Sequence, residues 1–150
     1  MEKFNIRVYG VLINEEKKIL VADEFIRGKY YTKFPGGGLE LGEGTRDCLK
    51  REFKEELDIY VEIGDHIYTT DFFQLSAFNP AHQIISIYYY VKPLEEIKSA
   101  RQQNEFIPVE KNHLNDEEIE SFRFIDWDFF SDESVTLPID KIVAKLVKSV

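Results

Sequence analysis

Three consecutive glycines, Gly36 to Gly38, stand just ahead of a segment from Thr45 to Leu57, TRDCLKREFKEEL, whose apolar residues recur at helical spacing. That junction constrains the chain more than any other feature. A helix does not pass through three glycines, so an extended or turning stretch ends there and a helix begins within a few residues. Gly44 or Thr45 can cap its start, Asp47 favours its first turn, and Asp58 is a poor interior residue that marks its end. At roughly 100° per residue, with Cys48 at zero, Leu49, Phe53 and Leu57 fall at about 100°, 140° and 180°, which defines a buried side. Lys50, Lys54 and Asp47 fall at about 200° to 260°, the wet side. Glu55, Glu52 and Glu56 land at about −20°, 40° and 80°, beside Cys48 and partly within the apolar arc.

A merely solvated face places such glutamates among the lysines. Like charges three and four residues apart repel, and partial burial raises the cost of ionising each. A positive partner is therefore expected, either a basic side chain or a divalent metal ion. Arg51 lies near Glu55, but one guanidinium does not neutralise three carboxylates. Converging carboxylates make the oxygen-rich environment that Mg2+ or Mn2+ prefers. Gly36 to Gly38 add to it, because bare backbone lets carbonyls and amides approach an ion or a phosphate closely. On the pattern alone, a metal site and a structural ion-pair network both stay open.

Around this segment the chain reads as strands, helix, strands, helix. Ile6 to Asn14 and Lys18 to Ala22 are β-rich and separated by NEEKK, which predicts a hairpin. Ile59 to Ile63, Tyr68 to Leu75 and Gln83 to Val91 (QIISIYYYV) predict further strands, the last of them central. Leu94 to Glu120 is polar and weakly patterned and predicts a long loop. Phe122 to Trp127 predicts a final strand, and Ile139, Ile142, Val143, Leu146 and Val147 an amphipathic C-terminal helix. The expected class is α+β, an α/β/α sandwich with a mixed β-sheet flanked by helices.

The size, 150 residues with 43% hydrophobic and 14% aromatic content, suits one globular domain over residues 1–150. A formal net charge of −9 argues against an extended nucleic-acid surface, which is built from many Lys and Arg. It admits a small phosphorylated ligand whose charge is met by metal ions. The single cysteine, Cys48, excludes an internal disulfide and suits a reducing compartment. MEKFNIRVYG lacks the layout of a signal peptide, and no run of about eighteen apolar residues occurs. A cytoplasmic protein without a membrane span is expected. A homodimer is admitted as the commonest homo-oligomer, with no sequence feature selecting it.

The segment resembles the signature of the Nudix hydrolases, G-x5-E-x7-R-E-U-x-E-E-x-G-U with U a bulky apolar residue. It reads here as Gly37, Glu43, Arg51, Glu52, Phe53, Glu55, Glu56 and Ile59, with every spacing kept. Asp58 stands where the pattern has glycine, a position that takes the left-handed conformation Asp tolerates better than most residues. The resemblance implies a Nudix-type fold, with the signature forming a loop, a helix and a loop. It implies hydrolysis of a nucleoside diphosphate linked to another moiety. By the same resemblance Glu52, Glu55 and Glu56 are ligands of Mg2+ or Mn2+ together with the Gly37 carbonyl, Arg51 holds the glutamates in place, and Glu43 is its partner. Such ions neutralise diphosphate oxygens and lower the pKa of an attacking water, whose proton a carboxylate then takes. Glu52 is one candidate for that carboxylate. The other is a glutamate of the long loop, which offers Glu95, Glu96, Glu105, Glu110, Glu117 and Glu118, with Glu105 favoured for its mid-loop position.

The substrate is less legible. DFFQLSAF carries neither the proline expected by resemblance to ADP-ribose hydrolases nor the tyrosine of dinucleoside polyphosphate hydrolases. Tyr30, Tyr31, Phe72, Phe73 and Phe78 can stack on a base, but such residues more often pack a core. Trp127 is read as structural, His66, His82 and His113 are scattered, and Cys48 is expected to pack rather than attack. The competing class is a non-hydrolytic nucleotide sensor or interaction domain of the same fold. A diphosphate isomerase is disfavoured because it wants a cysteine in the pocket.

Overall fold

A computed structural model describes residues 1–108 and 119–150. Its backbone contacts divide into two compact units, one of Met1–Leu12 with Pro35–Ile97, the other of Ile13–Phe34 with Lys98–Val150.

The first unit is a four-stranded sheet in the order β4, β1, β6, β5, with one helix. The strands are β1 (Lys3–Leu12), β4 (Gly36–Gly38), β5 (Val61–Thr69) and β6 (His82–Pro93), and the helix α1 is Thr45–Leu57. β1 runs antiparallel to β4 and parallel to β6, and β6 antiparallel to β5, so the sheet is mixed. Gln83 to Val91 is an interior strand, as its near-continuous β-branched and aromatic run predicts. A β-carbon built on Gly10 meets the Val91 side chain and the Phe53 ring. Even-numbered residues of β1 therefore face α1, and Arg7 and Tyr9 face the other way. Gly10 is the gap through which Phe53 reaches the sheet.

The second unit is a sheet in the order β3, β2, β8, β7, formed by β2 (Lys18–Ile26), β3 (Lys29–Lys33), β7 (Arg101–Gln102) and β8 (Ile119–Asp126). β2 is antiparallel to β3 and β8, and β8 parallel to β7, which makes a second mixed sheet. The helix α2 (Pro138–Lys148) belongs to this unit and starts on a proline, whose missing N–H costs nothing there. The class is α+β, as expected.

Four local expectations change. β1 and β2 do not form a hairpin. The turn is present, with the Asn14 N–H donating to the Lys18 carbonyl at 2.9 Å and a bridge between Ile13 and Ile19, but the strands join different sheets. Both edges of β1 are taken, by β4 and β6, so β2 has none to pair with. Val61 to Ile63 and Tyr68 belong to one strand, β5, whose register with β6 shifts between Ile63 and His66 and again before Tyr68. Those irregularities break the alternation that would have joined them. The long loop contains β7. In α2 the buried face is Ile139, Asp140, Val143, Ala144 and Val147, and Leu146 is exposed.

Candidate functional site

α1 buries Cys48, Leu49, Phe53 and Leu57, while Asp47, Lys50 and Lys54 are exposed, which is the division its angular pattern dictates. Gly44 caps it in an extended conformation and the Asp47 carboxylate accepts from the Gly44 N–H at 3.3 Å. At the other end Asp58 adopts the left-handed conformation, φ 53° and ψ 41°, and its N–H donates to the Lys54 carbonyl. Lys54 Nζ returns to Asp58 Oδ1 at 2.7 Å, so the residue that departs from the signature keeps the geometry of the glycine it replaces.

Arg51 lies at the centre of the acidic group. Its Nε and Nη2 donate to Glu43 Oε2 and Oε1 at 3.0 and 2.7 Å, a two-pronged contact. Nη1 donates to Glu52 Oε1 at 3.0 Å and Glu55 Oε2 at 3.2 Å, and Nη2 also to the Gly38 carbonyl at 3.0 Å. Glu40 lies 3.7 Å from Nη1. The guanidinium beside Glu43, helped by the Glu40 N–H, holds the Glu43 carboxyl down at about 2. The same contacts raise the Arg51 pKa, so the arginine stays charged.

The three glutamates are not equivalent. Glu52 has a side chain only 13% exposed and Glu56 is half-buried, but Glu55, whose projected angle lies just outside the apolar arc, is 58% exposed. The Glu52 carboxylate lies directly against Gly37, where an added β-carbon would come within 2.5 Å of its carboxyl carbon. Gly37 is thus the cradle of Glu52. Gly36, at φ 151°, has the Val8 carbonyl against it and no room for a side chain.

The carbonyl directions follow from the ladder. The Leu39 N–H donates to the Ile6 carbonyl and the Gly10 N–H to the Pro35 carbonyl, and Val8 pairs with Gly37 midway between these contacts. Hydrogen-bonded pairs recur at every second residue, so the Gly37 carbonyl is turned into the sheet toward Val8. The Gly36 and Gly38 carbonyls face the outer edge of β4, where that of Gly38 accepts from Arg51 and, at 3.5 Å, from the Cys48 thiol. The other outward carbonyl of β4 is that of Gly36, while the Gly37 carbonyl expected as a ligand points into the sheet. Strand register carries that information, and the local sequence does not.

Cys48 is fully buried, and burial together with the nearby Glu43 charge pushes its thiol up to about 12. A thiol so held is protonated and not a nucleophile at neutral pH. Glu105 is exposed and belongs to the second unit. Its neighbours are pinned: the Gln103 and Asn104 carbonyls accept from Arg123 Nη1 at 3.2 Å each, and Phe106 packs on Tyr30. Arg123 in turn is buried against Asp23, with Nε to Oδ2 at 2.7 Å, a pair that the sequence reading missed. Glu95 accepts from the Tyr60 N–H, and Glu96 is exposed. Glu110, Glu117, Glu118 and His113 lie outside the described residues. Of the candidate stacking rings, Tyr30 packs on Phe25 and Phe106, whereas Phe72 and Phe73 are exposed. Trp127 stacks on Phe130.

Among the described residues no three acidic, histidine or cysteine side chains are gathered closely enough to hold an ion as they stand. Arg51 draws Glu52 and Glu55 onto itself. The donors of the site are nonetheless all hard oxygens: Glu52 and Glu56 one helical turn apart, and an outward main-chain carbonyl at an edge without side chains. That set suits a hard divalent cation and not a soft one.

The NUDIX domain family model matches residues 3–145. A curated relative, the uncharacterized Nudix hydrolase YvcI of Bacillus subtilis (strain 168), is 36% identical over 55 residues, 37% of this chain and 34% of that one. The matched stretch thus spans about a third of the length of that relative. Among solved structures, a NUDIX hydrolase from Nitrosomonas europaea aligns over 97% of this chain and 89% of its own with a TM-score of 0.68 and 17% identity. The MutT protein from Methanosarcina mazei Go1 aligns over 96% and 92% with a TM-score of 0.65 and 19% identity. These two likenesses speak for the fold. The family model takes in the strands of both units and the Arg51-centred acidic helix, and on that ground the chain belongs to the Nudix hydrolase family.

Proposed function

We propose that the chain is a single Nudix domain that hydrolyses the diphosphate linkage of a nucleoside diphosphate joined to another moiety, in a reaction that requires Mg2+ or Mn2+. The observation that carries this reading is the lodging of the Glu52 carboxylate against Gly37, in the strand whose neighbouring Gly36 carbonyl the register turns outward. Glu52, Glu56 and the Gly36 carbonyl would hold the ion, with Glu55 as the exposed member of the set. Bound there, a divalent cation neutralises diphosphate charge and acidifies water.

The chain's own residues do the rest. Arg51, itself fixed by Glu43 and the Gly38 carbonyl, sets where the Glu52 and Glu55 carboxylates stand. In this reading Glu52 takes the proton of the attacking water, supported by the burial and the Gly37 cradle that restrict it to few orientations. β4 contributes backbone alone, so a phosphate can approach that edge closely.

A panel of nucleoside triphosphates, nucleotide sugars, ADP-ribose, dinucleotides and NADH, assayed with and without Mg2+ or Mn2+, tests the reading. Hydrolysis is expected only with the ion, and Glu56→Gln is expected to lower kcat about 100-fold or more, the scale for losing one electrostatic contact to the reacting phosphate. Near-normal turnover in that variant refutes the assignment. Glu105→Gln is the companion: a loss equal to that of Glu52→Gln would move the proton-accepting role to the loop.

A further inference from the structure

β4 has two sides, and the acidic helix accounts for one. On the other, register places Arg7 opposite Gly38 and Tyr9 opposite Gly36. A β-carbon on Gly38 would lie 3.5 Å from Arg7 Nη1, so this guanidinium occupies the space that the glycine leaves. Its Nε donates to Tyr9 Oη at 2.7 Å, and its carbon lies 5.7 Å from the centre of the Tyr9 ring. Tyr9 is itself held: it is 6% exposed and packs on the buried Tyr88 ring at 5.4 Å. A flexible side chain is thereby confined to one place above bare backbone.

Two guanidinia thus flank Gly38. Arg51 donates to its carbonyl and spends all three nitrogens on protein acceptors, chiefly Glu43, Glu52 and Glu55, so it has little left for a ligand. Arg7 stands at the same glycine from the other face of β4, with its Nε on Tyr9. A diphosphate approaching the glutamates meets like charge, and a cation beside the glycine edge offsets it. The planar guanidinium fork matches paired phosphate oxygens, as a lysine ammonium does not.

We propose that Arg7 is a substrate-contacting residue, which binds a non-bridging oxygen of the diphosphate at the β4 edge, and that Tyr9 is the positioning residue that orients it. The assignment rests on the hydrolytic reading given above.

The test compares wild type with Arg7→Gln, Arg7→Lys and Tyr9→Phe, using the best substrate of the panel. Arg7→Gln is expected to raise KM about tenfold or more, as for loss of a charge-assisted hydrogen bond, with kcat within about threefold. Arg7→Lys recovers only part of the affinity, and Tyr9→Phe raises KM by less than Arg7→Gln. A KM within about twofold of wild type in a folded Arg7→Gln protein overturns the proposal. Titration with α,β-methylene-ADP in the presence of Mg2+ separates the two readings. If wild type binds it but turns over nothing, the hydrolytic reading fails, and Arg7 stands or falls on whether Arg7→Gln weakens that binding. Wild type that binds neither probe nor substrate overturns both.

Discussion

Glu43 is paired so closely with Arg51 that its carboxyl gives up its proton at about 2, against an ordinary value of 4.5. Because the folded value is the lower one, this pair stabilises the native state fully above the ordinary carboxylate range. The contribution is lost as pH falls from about 4.5 toward 2. Urea unfolding of wild type and Glu43→Gln is therefore expected to differ most near neutral pH and to converge toward the lower limit. An unchanged gap at low pH contradicts the assignment. Gly37 makes a second test of the same group. Alanine there meets first the carboxylate end of the Glu52 side chain and not backbone, so Gly37→Ala is expected to fold while displacing that carboxylate. Turnover should fall by about 10-fold to 100-fold, the scale for mispositioning a ligand, with the thermal midpoint nearly unchanged. A large drop in the midpoint instead means that the glycine serves the backbone.

At the scale of elements, the packing of α1 on β1 passes through Gly10. A methyl group there would come 2.5 Å from Val91 Cγ2 and 3.0 Å from the Phe53 ring. Gly10→Ala is thus expected to destabilise by about 1–3 kcal/mol through overpacking, read as a lower urea midpoint at unchanged slope. Combined with Val91→Ala it should cost less than the sum of the two single changes, since the second makes room for the first. α1 and β6 were legible in the sequence because each declares itself locally, by a helical period and by a β-rich run. The β1–β2 hairpin was misread because pairing depends on which edges distant strands already occupy. β5 was split because bulges interrupt its alternation. The acidic arc of the site was legible from angular placement, but which glycine carbonyl faces outward depends on register with β1. The Asp23–Arg123 pair joins residues 100 positions apart, and no local pattern announces it.

The whole molecule carries a net charge of −9, and its proposed substrate carries charge of the same sign. At long range the approach is therefore uphill. The attractive groups, a bound cation and Arg7, act over a few ångströms within a partly buried edge, where salt screens them less than it screens the overall field. Raising ionic strength from about 0.01 to 0.15 M shortens the Debye length from about 30 to 8 Å, which removes the repulsion between approaching partners but leaves the contacts at the edge largely intact. The value of kcat/KM, measured at constant free Mg2+ and far below saturation, is accordingly expected to rise over that range with added KCl, while kcat stays flat. Arg7→Gln should show the same rise from a lower starting point, because the field belongs to the molecule and not to that residue. If kcat/KM instead falls steadily with salt, attraction at the site dominates the encounter, and the acidic surface has no part in setting the rate.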